Sequence, residues 1–238
     1  MTSAAPLPQL SGASNFRALP HVRQGLLYRS DHLGALDEQD AARILELGIR
    51  RVLDFRGVDE RTSAACTLPG VAVHSLAIEP TVVQVVARLL EAGQHVTPED
   101  MAGHMQDTYR GFVRQNTHRF AEFFGHLLAS NEPTVFHCTA GKDRTGFAAA
   151  LLLYSLDVPQ AEVMRDYLVT NDRLKMRVVA SGRLPPEAAA VLWRVQPGFL
   201  EAALQAVDAD YGGMDAYLRK GLGLRDAERK RLRELYLP

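Results

Sequence analysis

The sequence predicts an α/β fold: one domain, with a central, mostly parallel β-sheet flanked by helices. Three observations predict it. Segments of β-prone residues alternate with segments of helical periodicity through most of the chain. The 238 residues with 47% hydrophobic content suffice for one sizeable core, and no linker, repeat or low-complexity stretch calls for a second domain. Finally, Thr134 to Gly146 reads TVFHCTAGKDRTG and is followed by an apolar run from Phe147 to Leu156. That is a short strand, a tight loop with Gly141 and Gly146, and a helix.

Taken in order, residues 1–10 combine prolines with small residues and are expected to form a flexible tail. Leu10 to Leu19 is an edge segment with a turn at Ser11-Gly12. Gly25 to Ser30 reads as a strand ending in Arg29-Ser30-Asp31. Asp37 caps a helix to Leu47, which Gly48 stops. Arg50 to Arg56 is a strand. Asp54, Phe55 and Arg56 open a loop at its C-terminal end, where α/β folds put ligand contacts. Glu60 and Arg61 continue this as a charged loop. Gly70 to Ile78 alternates and reads as another strand.

Thr81 to Ala92 is helical, with Val82, Val85, Val86, Leu89 and Leu90 on its apolar face. Thr97-Pro98-Glu99-Asp100 starts a new helix with a cap, a proline and acids near the positive end. A further helix to about Ala129 carries Phe120, Phe123, Phe124, Leu127 and Leu128 on its core side. Residues 80–115 are thus a helical insertion ahead of the TVFH strand. After the apolar helix, Gln160 to Leu174, Pro186 to Arg194 and Pro197 to about Asp208 read as helices. The charged run Glu228 to Arg231 is a solvated helix face.

The chemistry concentrates in the loop. Cys138 lies at a strand end, facing the N-terminus of a helix, with Lys142 and Arg144 nearby. A helix N-terminus and neighbouring cations favour a thiolate nucleophile. Five residues separate Cys138 from Arg144, enough to curl the backbone N–H groups of Thr139, Ala140, Gly141 and Lys142 into an anion-binding nest. Arg144 supplies a planar fork for two phosphate oxygens. Thr145 supplies a hydroxyl for the sulfur, while Gly141 and Gly146 permit backbone conformations closed to larger residues.

On these residues the chain resembles the cysteine-dependent protein tyrosine phosphatase superfamily, whose signature is His-Cys, five residues, Arg, then Ser or Thr. The fuller string HCTAGKDRTG resembles the atypical bacterial tyrosine/lipid phosphatase group, with Lys-Asp inside the loop. The resemblance implies a cysteine-phosphatase-like fold and a phosphocysteine intermediate. Cys138 is then the nucleophile, Arg144 the phosphate clamp, and His137 the residue that orients the loop. It implies Asp143 as the general acid, with Asp31 as the rival. Asp54 and Arg56 brace the loop, or form a salt bridge of purely structural value. Asn15-Phe16-Arg17 matches an element near the start of the group, and Tyr167 and Asn171 match one that packs beneath the loop. The 80–115 insertion would form a lid, which would bring Tyr109 and Arg110 to the ligand, or else ordinary crossover helices.

The expected function is hydrolysis of phosphate monoesters, on phosphotyrosine proteins with phosphoserine or phosphothreonine as further substrates. Lys142, a second loop cation, keeps phosphoinositides open as the alternative. A sulfurtransferase or a non-catalytic phosphate-binding module would need only part of the Cys138, Asp143, Arg144, Thr145 set. A net charge of −1 gives no basic field for nucleic acid. No cofactor or metal is expected, because the eight histidines are scattered without ligand spacing. With two cysteines, Cys66 and Cys138, no disulfide framework is expected. No apolar run reaches the roughly 18 residues of a membrane span, and no ordinary secretory signal opens the chain. A cytoplasmic protein is expected, with export by another route and the oligomeric state left open.

Overall fold

The structure, a computed structural model, describes residues 9–175 and 184–238. Most of the expected tail at residues 1–10 lies outside them. In chain order the elements are β1 (Arg17–Ala18), β2 (Leu27–Ser30), α1 (Glu38–Glu46), β3 (Arg51–Asp54), α2 (Val58–Ser63), β4 (Ala72–Ser75), α3 (Thr81–Glu91), α4 (Pro98–Arg114) and α5 (Thr117–Ala129). There follow β5 (Thr134–His137), α6 (Arg144–Ser155), α7 (Gln160–Leu168), α8 (Thr170–Arg173), α9 (Pro186–Trp193), α10 (Pro197–Tyr211) and α11 (Met214–Ala216). A π-helical turn (Tyr217–Gly221) and α12 (Asp226–Tyr236) complete the chain.

The five strands form one sheet in the order β1-β2-β5-β3-β4. Only the β1–β2 pair is antiparallel. Side chains alternate across the sheet. Leu27, Leu53 and Phe136 enter the large core beneath α4, α5, α6 and α10. Tyr28, Val52 and Val135 enter a smaller core with Ile44 of α1 and Phe16. The central strand β5 pairs Val135 with Tyr28 on one side and with Val52 on the other. Its C-terminal end therefore lies at the middle of the sheet edge, inside the ring of neighbouring loops.

Helix starts follow their sequence signals. Asp37 accepts from Asp40 N at the head of α1, and Thr97 with Asp100 forms a capping box at α4. Three segments differ from expectation. The segment around Glu60 is a helix, α2, because Glu60 folds back onto the Gly57 N–H at 2.8 Å and caps it. The strand expected over Gly70 to Ile78 shrinks to Ala72–Ser75 at the sheet edge. The helix expected over Gln160 to Leu174 divides into α7 and α8 around Val169.

The insertion separates into two parts. Met101, Met105, Tyr109, Phe112 and Val113 of α4 are core residues. Helix α4 is therefore built into the domain and packs against α10 and α9. Helix α3 is amphipathic: Val82 and Val86 are buried, whereas Val83 is half exposed. Among the described residues no helix is long and apolar enough to cross a membrane.

Candidate active site

The loop after β5 is held from outside by its carbonyl groups. Thr139 O accepts from His32 N at 3.0 Å. Ala140 O accepts from Asn15 Nδ2 at 3.0 Å, and Gly141 O from Asn15 Nδ2 at 3.1 Å and Arg29 at 3.0 Å. A planar trans peptide directs its N–H opposite to its C=O. The N–H groups of Ala140, Gly141 and Lys142 are thereby turned to the concave side, toward the first turn of α6. Gly141 has φ +64°, and an added Cβ would lie 2.2 Å from Ser30 O; no other residue fits there. Gly146 lets the Tyr167 ring approach to about Cβ contact, 3.1 Å from where a Cβ would stand.

Arg29, at the head of the Arg29-Ser30-Asp31 strand end, anchors the floor. It is fully buried, bonds Gly141 O and pairs with Asp166 at 2.5 Å. Asp166 also pairs with Arg17. Burial alone would raise the Asp166 carboxyl, but Arg29 and Arg17 hold it below its ordinary value. Burial and the nearby Arg29 lower Arg17 to about 9, against the pull of Asp166. Asn171 pairs with the backbone of Val195, donating from Nδ2 and accepting at Oδ1, and so ties α8 to the connection between α9 and α10.

Asp31 takes a supporting position. Its carboxylate accepts from Ser14 N at 3.1 Å and Asn15 N at 3.0 Å, with further bonds from the Ser14 and Ser30 hydroxyls. It thus shapes the turn that aims Asn15 at the loop, and it is not among the residues lining the cleft. Burial raises its carboxyl against these bonds.

His137 is fully buried, with Nδ1 3.1 Å from Cys138 O and 3.7 Å from Asp54 Oδ1. Burial lowers it to about 4, with Arg56 adding to this and Asp54 opposing. The neutral ring therefore carries its proton on Nδ1 and donates to the Cys138 carbonyl. Asp54 and Arg56 pair at 2.8 Å, and Arg56 reaches on to Glu60 O in α2 and to Ala64 O just after it. Their salt bridge fixes the helix that carries Glu60.

Glu60 carries no motif that marks it in the sequence, yet it sits at the centre of the site. Its carboxylate receives both terminal nitrogens of Arg144, at 2.6 and 2.9 Å, and the Thr139 hydroxyl. Arg144 NH1 also donates to Ile78 O at 2.9 Å. Burial opposes the Arg144 charge, but Glu60, Cys138 and Asp143 raise its pKa above the ordinary value. Burial would raise Glu60 too, yet the bonds from Arg144, Thr139 and Gly57 N–H bring it to about 2. The only sequence signal was an acid in a charged segment following a strand end. Nothing local said that it would reach 84 positions along the chain.

That shift has a testable sign. A carboxylate with a depressed folded pKa stabilises the fold above its unfolded value, near 4.5, and loses this as pH falls toward 2. Wild type is expected to melt higher than Glu60→Gln at neutral pH, with the gap closing between about 4.5 and 2. A gap of equal size at pH 7 and pH 3 would refute the assignment.

Cys138 is buried at the floor of a cleft of about 150 Å3. Thr139, Ala140, Lys142, Asp143, Arg144 and Glu60 form its polar floor. Pro80, Val82 and Val83 from the start of α3, Phe112 of α4, and Leu192 and Trp193 of α9 form apolar walls. Lys142 is buried and its ammonium lies 2.9 Å from Asp143. Tyr109 also donates to Asp143 Oδ1, at 3.0 Å. Arg110 instead pairs with Asp107 and does not line the cleft. The Thr145 hydroxyl is buried and has no hydrogen-bond partner among the described residues, so the expected bond to the sulfur is not formed. Among the described residues no three metal-ligating side chains cluster.

The arrangement brings a thiol, a carboxyl group, an arginine fork and inward N–H groups to one cleft. The model of the tyrosine phosphatase family matches residues 8–238. A Cupriavidus necator protein named as a tyrosine-protein phosphatase is 34% identical over 231 residues, covering 93% of this chain and 82% of that one. The triple specificity protein phosphatase PtpB of Mycobacterium tuberculosis is 31% identical over 273 residues, covering 96% and 98%. A tyrosine-protein phosphatase of Nostoc commune is 25% identical, covering 86% and 72%.

Proposed function

The chain belongs to the tyrosine phosphatase family, and we propose that it hydrolyses phosphate monoesters through a phosphocysteine on Cys138, with Asp143 as general acid and base. The carrying observation is the juxtaposition of Cys138, Asp143 and Arg144 at the floor of one cleft. Arg144 and the inward N–H groups hold the phosphoryl oxygens and match their transition-state charge. The Cys138 sulfur forms a bond to phosphorus as the ester P–O bond breaks. Asp143 gives its proton to the leaving oxygen. A water then gives a proton back to Asp143 and attacks phosphorus, the P–S bond breaks, and inorganic phosphate departs. Acid quenching during turnover, followed by mass analysis, tests this. The peptide containing Cys138 is expected to carry one phosphoryl group; turnover with that peptide never modified would refute the covalent route.

The apolar walls favour an aryl phosphate. Val82, Val83, Phe112 and Trp193 line the route to Cys138, which suits the ring of phosphotyrosine better than a charged inositol. Helix α3, at the cleft rim, is the part of the insertion that serves as a cover. A second reading rests on Lys142, whose buried ammonium beside the floor supplies a cation for a ligand with more than one phosphate. Initial rates on a phosphotyrosine peptide and on phosphoinositides, measured side by side, separate the two. Faster turnover of the peptide is expected, and the reverse would make Lys142 a second clamp. Every step uses side chains of the chain itself, so activity is expected to be unchanged in excess chelator. Loss of activity that added metal restores would overturn this mechanism.

A further inference from the structure

A line of buried hydroxyls ends on Asp143. Tyr109 Oη lies 3.0 Å from Asp143 Oδ1 and 2.7 Å from Tyr167 Oη. Tyr109 comes from α4, Tyr167 from α7 and Asp143 from the catalytic loop. Both rings are buried, and Tyr109 packs against Phe112, Phe199 and the edge of Tyr167. Phenylalanine would satisfy that packing, so the hydroxyls need their own explanation. A buried phenol lacking a partner is costly, and these two find their partners in each other and in the aspartate.

The direction of the bonds follows from chemistry. An ionised carboxylate only accepts, so Tyr109 donates to Oδ1 and Tyr167 donates to Tyr109 Oη. Burial, with Asp143 adding to it, pushes both phenols well above their ordinary value. Both remain donors. Lys142 Nζ lies 2.9 Å from Oδ1 and 2.9 Å from Oδ2 of the same carboxylate, so it does not distinguish the two oxygens, whereas the tyrosine hydroxyl bonds Oδ1 alone; Arg144 is the other cation beside it.

We infer that Tyr109 is a positioning residue for the acid–base step: its hydroxyl, oriented by Tyr167, holds Asp143 Oδ1 as an acceptor and so keeps the transferable proton on Oδ2. The inference rests on Asp143 being the acid, as proposed above. In the first step the Oδ2 proton moves to the leaving oxygen while the sulfur–phosphorus bond forms and the ester bond breaks. Without Tyr109 the carboxyl group can turn and present the wrong oxygen. The loss is felt where the leaving group needs that proton, and little where it does not. A merely structural tyrosine would slow all substrates alike.

The test is kcat/KM on aryl phosphates of graded leaving group, from p-nitrophenyl to phenyl phosphate. Wild type is compared with Tyr109→Phe, the double variant Tyr109→Phe/Tyr167→Phe, and Asp143→Asn. The double variant removes the hydroxyl that the single change would leave unpaired. On phenyl phosphate, Tyr109→Phe is expected to lose about five- to tenfold, the worth of one ordinary hydrogen bond, and Asp143→Asn about a hundredfold or more. On p-nitrophenyl phosphate, Tyr109→Phe is expected to stay within about twofold of wild type, since little of that bond is called upon. The double variant is expected to match the single one. Steep leaving-group dependence in Asp143→Asn with a wild-type slope in Tyr109→Phe overturns the positioning role alone. A uniform loss across the series in Tyr109→Phe overturns it as well. A wild-type slope in Asp143→Asn overturns the assignment of the acid itself.

Discussion

Replacing Cys138 by serine is expected to abolish turnover while leaving the phosphorylated substrate bound. A serine hydroxyl is a far weaker nucleophile than a thiolate and needs a general base to activate it. Removing a covalent route costs at least about three orders of magnitude in kcat, roughly 4 kcal/mol of barrier. Binding should survive because the groups that hold phosphate are elsewhere. Arg144 is fixed by Glu60 and Ile78 O, and the loop carbonyls by Asn15, Arg29 and the His32 N–H. The site should therefore not collapse when one atom changes. Single-turnover kinetics with calorimetric titration of a phosphotyrosine peptide would check both halves. Turnover near the wild-type level would remove the covalent mechanism. Phosphate transfer lost together with binding would mean that the thiol shapes the site rather than attacking.

Arg144→Lys is the second large effect. Its guanidinium serves acceptors on three elements at once: both Glu60 oxygens, Ile78 O and, at 3.4 Å, Phe55 O. An ammonium has no planar fork and cannot hold Glu60 in two places while offering a second edge to phosphate. Loss of oriented charge at the transition state is expected to cost about 10²–10³ in kcat/KM, or roughly 3–4 kcal/mol. Stability should fall as well, by about 1–3 kcal/mol, because the partly buried Glu60 carboxylate is left partly unpaired. Adding Glu60→Gln to Arg144→Lys separates these losses. The double variant is expected to regain stability but not activity. Recovery of activity with stability would show that Arg144 acts only as a brace for Glu60. Activity within a few-fold of wild type in Arg144→Lys alone would exclude the fork from phosphate binding.

Local signals carried the reading of the fold. Asp37 before α1, Thr97-Pro98 before α4 and the apolar runs of β5 and α6 act within a few residues of themselves, so their outcome is legible from neighbours in the sequence. The α2 segment escaped because its helix is short and depends on Glu60 capping Gly57 rather than on an apolar face. The same holds for the edge strand β4, where only one neighbour, β3, sets its length. Helical periodicity is alike throughout residues 80–115, so the sequence presents them as one insertion. Burial divides it, with α4 in the core and α3 at the rim.

By itself the sequence determined the make-up of the loop after β5. The identities of Cys138, Lys142, Asp143, Arg144 and the two glycines fall within nine positions, Cys138 to Gly146, and adjacency in the chain ensures adjacency in space. What only the tertiary structure decided is which distant groups govern that loop. Asp31 was a rival acid by sequence, and folding turns it toward Ser14 and Asn15. Glu60 was an unremarked charge, and folding brings it onto Arg144. Tyr109 and Tyr167, 58 positions apart, meet only because α4 and α7 converge on the loop. Pairings of that kind depend on sheet order and helix packing, which bring together residues that no local pattern relates.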